Sequence, residues 1–159
     1  EDFPFFKNVS VISPGVLGTT GIESADIIVS LSGKINAGCI IAVDALYSAS
    51  LDRLCRTVQI SDSGIIPGSG VGNSRAEISR RTLGVPVISV GVPTVVDAQT
   101  LARDVSGRHT EKAAADTKMM VTPKEIDLLI ERCSGLLSLA VNRALQPELS
   151  IKDLVELTN

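Results

Sequence analysis

Aromatic side chains are nearly missing from this chain. It has no Trp, one Tyr and three Phe, and Phe3, Phe5 and Phe6 all fall within the first six residues. A surface that stacks bases needs aromatic platforms, so direct nucleic-acid binding is not expected. Clustered basic charge is missing too: Lys and Arg are scattered and the formal net charge is −3, which gives no stripe to track phosphates. No apolar run approaches the ~20 residues of a membrane span, and no secretory leader pattern is present, so no membrane partner is expected. Cys39, Cys55 and Cys133 are odd in number and lack a C-x-x-C spacing. They read as reduced, structural thiols of a cytoplasmic protein. His109 is the single histidine and lies in a polar stretch without an orienting framework. A Ser-His-Asp or Cys-His relay would have to use it, so nucleophilic catalysis falls behind.

What remains is an aliphatic core. With 44% hydrophobic residues over 159 positions, the chain suffices for a single domain, residues 1–159. Val/Ile-rich segments alternate with amphipathic ones. Residues 9–13, 39–43, 57–61 and 85–90 read as strands. Residues 20–34 read as a helix opened by a Thr20-x-x-Glu23 capping box, and residues 74–82 as a helix opened by Ser74 and ended by Gly84. Residues 45–53 read as a helical turn, and Pro93 reads as the N1 residue of a further helix. Residues 105–118 read as a polar loop. Thr122-Pro123-Lys124-Glu125 opens a long amphipathic helix, and Ser150 caps a last one over residues 151–157. This order predicts an α/β fold, a three-layer sandwich with a mostly parallel central sheet flanked by helices.

Asp44 and Asp97 each end an apolar run and are each followed by alanine. The carboxyl ends of parallel strands converge on one crevice, so two such acids are expected to share a proton and a water there. Asp97 has a second explanation, because acids favour the first turn of a helix. Asp44 follows four apolar residues, where an unpaired charge is costly. Glu23 is explained by its capping box, and joins the two aspartates only if a hard-cation site forms. The run Gly68-Ser69-Gly70-Val71-Gly72-Asn73 precedes a helix but fits neither G-x-G-x-x-G nor a P-loop. Gly68, Gly70 and Asn73 instead suggest a backbone surface that binds an extended peptide or closes over a catalytic water.

Several long runs resemble the germination protease family, endopeptidases of spore-forming Firmicutes that degrade small acid-soluble spore proteins. They are Ser13-Pro14-Gly15-Val16-Leu17-Gly18 with Thr20-Gly21-Ile22-Glu23, then Ile41-Ala42-Val43-Asp44-Ala45-Leu46, and Val58-Gln59-Ile60-Ser61-Asp62-Ser63-Gly64-Ile65 continuing to Val71-Gly72-Asn73. Thr82-Leu83-Gly84-Val85-Pro86-Val87-Ile88, Gly91-Val92-Pro93-Thr94-Val95-Val96-Asp97-Ala98 and Met120-Val121-Thr122-Pro123-Lys124-Glu125-Ile126-Asp127 extend the match. The resemblance implies an atypical aspartic endopeptidase with Asp44 and Asp97 as its catalytic pair and no cofactor. It further implies a zymogen that processes itself, a homotetramer, spore proteins as substrate and a place in the spore core. A distant likeness to hydrogenase-maturation proteases, where acids near the positions of Glu23 and Asp44 bind metal, keeps a metal-dependent peptidase using Glu23, Asp44 and Asp97 as the alternative. A non-catalytic paralogue or fragment is the other. The family carries more sequence before Ser13 and a longer insertion between Asp104 and Met119.

Overall fold

The computed structural model describes residues 6–72, 75–107 and 119–158. They form two compact units, Pro14–Lys124 and Glu1–Ser13 with Glu125–Asn159.

In the first unit a short helix α1 (Leu17–Thr20) ends at Gly21, whose left-handed backbone (φ 69°) stops it. Helix α2 (Ser24–Ile35) follows, then strand β1 (Ile40–Tyr47), β2 (Gln59–Ser61), helix α3 (Arg80–Leu83), β3 (Val87–Asp97), α4 (Ala98–Ser106) and β4 (Met120–Val121). The sheet order is β1-β3-β2, with β4 also paired to β3. β1 runs parallel to β3, whereas β2 and β4 run antiparallel to it. The sheet is therefore mixed, not mostly parallel.

One face of β1 and β3 carries the core. Ala25 from α2, Ile78 and Val87 are buried together, with Ile28, Ile40, Ala42, Ile65 and Leu83 packed against them. Side chains alternate along a strand, so Asp44 lies on the same face as Ile40 and Ala42, beyond the edge of that apolar cluster.

Several boundaries differ from the sequence expectation. Residues 9–13 form no strand, and Val11 is 92% exposed. Thr20 ends α1 instead of opening α2, and its hydroxyl donates to the carbonyls of Val16 and Ile22, so the Thr20–Glu23 capping box does not form. The helix expected over residues 74–82 shrinks to α3, although Gly84 ends it as expected, with φ 74°. Ser74 and His109 lie outside the described residues. β1 continues three residues past Asp44, and only a single turn, Leu51–Arg53, remains of the helical segment expected there. Pro93 sits inside β3 and is fully buried. A proline in a strand forfeits a ladder hydrogen bond, and the register slips beside it: Leu46 pairs with Pro93 but Tyr47 with Val95.

The second unit holds α5 (Ile126–Leu145) and α6 (Ile151–Thr158). Ser150 caps α6 as expected: its hydroxyl accepts from the Asp153 N–H at 3.2 Å, and the Asp153 carboxylate accepts from the Ser150 N–H at 2.8 Å. Gln146 binds the backbone of Lys7 twice, at 2.9 and 3.1 Å.

Candidate active site

Asp44 stands in mid-strand, where the parallel register puts it beside Gly91. Leu46 lies over Gly91, and a Cβ on that glycine would come within 2.5 Å of the Leu46 Cγ. The Asp44 carboxylate is half-buried and, among the described residues, accepts a single hydrogen bond, from the N–H of Ala45 at 2.8 Å. Burial pushes its pKa up from the ordinary 3.8, and the Ala45 N–H offsets this only in part. Such an acid gives up its proton reluctantly, a property suited to acid–base work.

Asp97 ends β3 and caps α4. Its Oδ1 accepts from the Thr100 N–H at 2.7 Å, and its Oδ2 accepts from the Thr100 hydroxyl at 3.0 Å and from the Tyr47 hydroxyl. Burial acts to raise its pKa, but the donors of Tyr47 and Thr100 together with the Gln99 N–H outweigh it, and the carboxyl is held below the usual range. With four donors aimed at two oxygens, the acceptor capacity of the carboxylate is filled. The hydrogen bond donated to Asp97 pushes the Tyr47 hydroxyl up, with burial and the charge of the carboxylate adding to it and the Thr100 hydroxyl offsetting part.

The two acids do not converge. Gly91, the neighbour of Asp44, is six residues before Asp97 on one strand, a distance of about 20 Å at ~3.3 Å per residue. A bridging water adds two hydrogen bonds of about 2.8 Å and cannot close that gap. The shared proton and water expected from the two Asp-Ala endings are thus not formed at this register, because β1 does not end at Asp44.

Glu23 lies before α2, and its carboxylate pairs with Arg75 at 3.4 Å. Among the described residues no three His, Cys, Asp or Glu side chains come together to hold a metal ion. Glu23, Asp44 and Asp97 therefore do not fit the metal set considered from the sequence.

The glycine-rich stretch folds as a loop closed by the Ile65–Ile78 backbone pair, both bonds at 2.8 Å. Gly68 (φ 73°) and Gly72 (φ 71°) hold the left-handed backbone of its turn. Gly70 has a different reason: a Cβ there would overlap the Cβ of Tyr47. Two of the singled-out glycines thus belong to the loop over Tyr47, while Asn73 lies outside the described residues. Tyr47 and Thr100 were not foreseen. The available signals were that Tyr47 is the only tyrosine and that Asp97-x-x-Thr100 has N-cap spacing.

Among the described residues no helix is long and apolar enough to cross a membrane. Comparison with known proteins bears on this arrangement directly. The model of the family described as germination protease matches residues 4–107, a stretch that holds Glu23, Asp44, Tyr47, the glycine loop and Asp97. The germination protease of Clostridium tetani is 42% identical over 179 residues, covering 93% of this chain and 55% of that protein. That of Caldanaerobacter subterraneus is 42% identical over 182 residues, with 95% and 56% covered. The Priestia megaterium germination protease reaches 59% identity over 99 residues, 62% of this chain and 27% of its own length. The chain thus spans a little over half the length of the relatives it matches most extensively. With the family match over β1, β2, β3 and both acids, the chain belongs to the germination protease family.

Proposed function

We propose that this chain carries the chemistry of an endopeptidase that begins the breakdown of small acid-soluble spore proteins in the spore core during germination. The observation that carries the reading is that the family match over residues 4–107 includes both acids and the strands that hold them. On the same grounds we assign it the family's three-layer fold, its maturation from a zymogen, its homotetramer and its independence of a cofactor.

The environments of the two acids are pushed apart, which is the pattern that assigns acid and base roles. Asp44, with its raised pKa and a single backbone donor, takes the proton-transfer role towards water and the scissile amide. Asp97 stays ionised and provides a fixed negative charge that attracts a cationic group of the peptide. At the observed register they act at separate points on an extended substrate.

The test is cleavage of a purified small acid-soluble spore protein by the chain, by Asp44→Asn and by Asp97→Asn. The proposal expects cleavage by the chain and its loss in Asp44→Asn with the fold intact. Full activity in Asp44→Asn defeats the proposal. One observation favours a second reading for Asp97: its acceptor positions are all filled by its own cap and by Tyr47. If Asp97→Asn cleaves at the parent rate, Asp97 is a helix cap and nothing more.

A further inference from the structure

The chain's one tyrosine is where three separate features meet. Tyr47 is the last residue of β1, and the register slip after Leu46 places it opposite Val95, one residue nearer to Asp97 than an unbroken ladder would. Its hydroxyl donates to Asp97 Oδ2 and lies 3.2 Å from the Thr100 hydroxyl. Its other side meets the glycine loop, where the missing Cβ of Gly70 leaves room for the Tyr47 Cβ and for its Cγ, which a Cβ would approach to 3.2 Å.

We propose that Tyr47 is a positioning residue for Asp97, seated by Gly70 and holding the carboxylate fixed and ionised at the head of α4. The inference rests on the reading of Asp97 as a functional acid. Without the phenol, Oδ2 keeps the Thr100 hydroxyl, which can rotate away. The loop therefore has a definite part: Gly70 admits the ring, and the ring holds the acid. The charged groups that bear on Tyr47 are Asp97 itself and Arg103 of α4; the remaining donors to Asp97, from Thr100 and Gln99, are neutral.

Because the chain has one Tyr and no Trp, ultraviolet titration reports Tyr47 alone. Absorbance read immediately after pH jumps of the intact chain should give a midpoint above the ~10 of free tyrosine. In Asp97→Asn, where the side-chain oxygen can still cap the Thr100 N–H, the midpoint should fall. Equal midpoints in the two proteins overturn the pairing, whatever the chain's activity. The second arm compares the chain with Tyr47→Phe in cleavage of a small acid-soluble spore protein and in the titration of the Asp97 carboxyl carbon by NMR. A positioning role lowers cleavage and raises the Asp97 midpoint in Tyr47→Phe, since Asp97 then protonates more readily. Loss of cleavage with an unmoved Asp97 midpoint marks Tyr47 as merely structural and overturns the proposal. If the chain cleaves at no pH, the peptidase reading falls and takes the positioning role in catalysis with it, while the titration still decides whether the pair exists.

Discussion

Replacing Asp97 by alanine removes a helix cap and the acceptor of two hydroxyls at once, and the structure gives the size of each loss. Loss of the cap to the Thr100 N–H costs about 1 kcal/mol. Hydrogen bonds to a charged group contribute ~1.5–3 kcal/mol. The lower end applies here, because the Tyr47 and Thr100 hydroxyls lie 3.2 Å apart and remain partners for each other. Together the expected loss is roughly 2–3 kcal/mol at pH 7, or about 4–12 °C in Tm for a chain of this size. Its pH dependence follows from the ionisation. The folded pKa of Asp97 lies below the ordinary 3.8, so the fold stabilises the carboxylate. That stabilisation is complete above the unfolded value and is lost as pH falls through the lowered folded value. The gap between parent and Asp97→Ala should therefore be full at pH 7 and shrink below pH ~4. Urea denaturation followed by the fluorescence of Tyr47, at a series of pH values, measures it. A gap independent of pH, or one under ~0.5 kcal/mol at pH 7, refutes the reasoning.

Other substitutions probe other parts of the account. Gly91→Ala should cost about 1–3 kcal/mol by urea denaturation, because its Cβ meets the Leu46 side chain at 2.5 Å. The double variant with Leu46→Ala should recover none of the packing energy but should lose the clash, so the two effects will not add. Asp44→Asn should raise the unfolding free energy from urea denaturation at neutral pH by ~0.5 kcal/mol. A raised folded pKa means that the parent loses stability as pH rises through that value, a slope the variant lacks. Ser150→Ala removes the acceptor of the Asp153 N–H and should cost about 1 kcal/mol, read as faster amide exchange in α6. Glu23→Gln weakens a part-buried ion pair with Arg75 and should lower the unfolding free energy by no more than ~1 kcal/mol, read by urea denaturation.

The strands that carry the site were legible as apolar runs, and the caps at Gly84 and Ser150 follow local rules that a sequence displays. Two things were not legible. Ala45-Leu46-Tyr47 has no feature that separates a strand continuing past Asp44 from a turn, so the acid was placed at a strand end that lies three residues later. Pro93 satisfies the rule for a helix N1 residue, yet in the fold it is a buried strand residue beside a register slip. Both errors push the two aspartates together on paper. The glycine loop showed its unusual backbone in composition, but the reason for Gly70 is a ring twenty-three residues earlier, a tertiary contact that no local pattern encodes. The Tyr47–Asp97 pair spans fifty residues and exists only because β1 and β3 run parallel at this register.

In the proposed mechanism Asp44 and Asp97 are separate acids with opposite protonation preferences, not a dyad around one water. Side-chain carboxyl carbon NMR of the labelled chain, titrated in parallel with Asp97→Asn, tests it most directly. The account expects two independent single-step curves, Asp44 above 3.8 and Asp97 below it, and an Asp44 curve unmoved by Asp97→Asn. Biphasic curves shared by the two carboxyls, or an Asp44 midpoint that drops when Asp97 is neutralised, would show a coupled pair and contradict it.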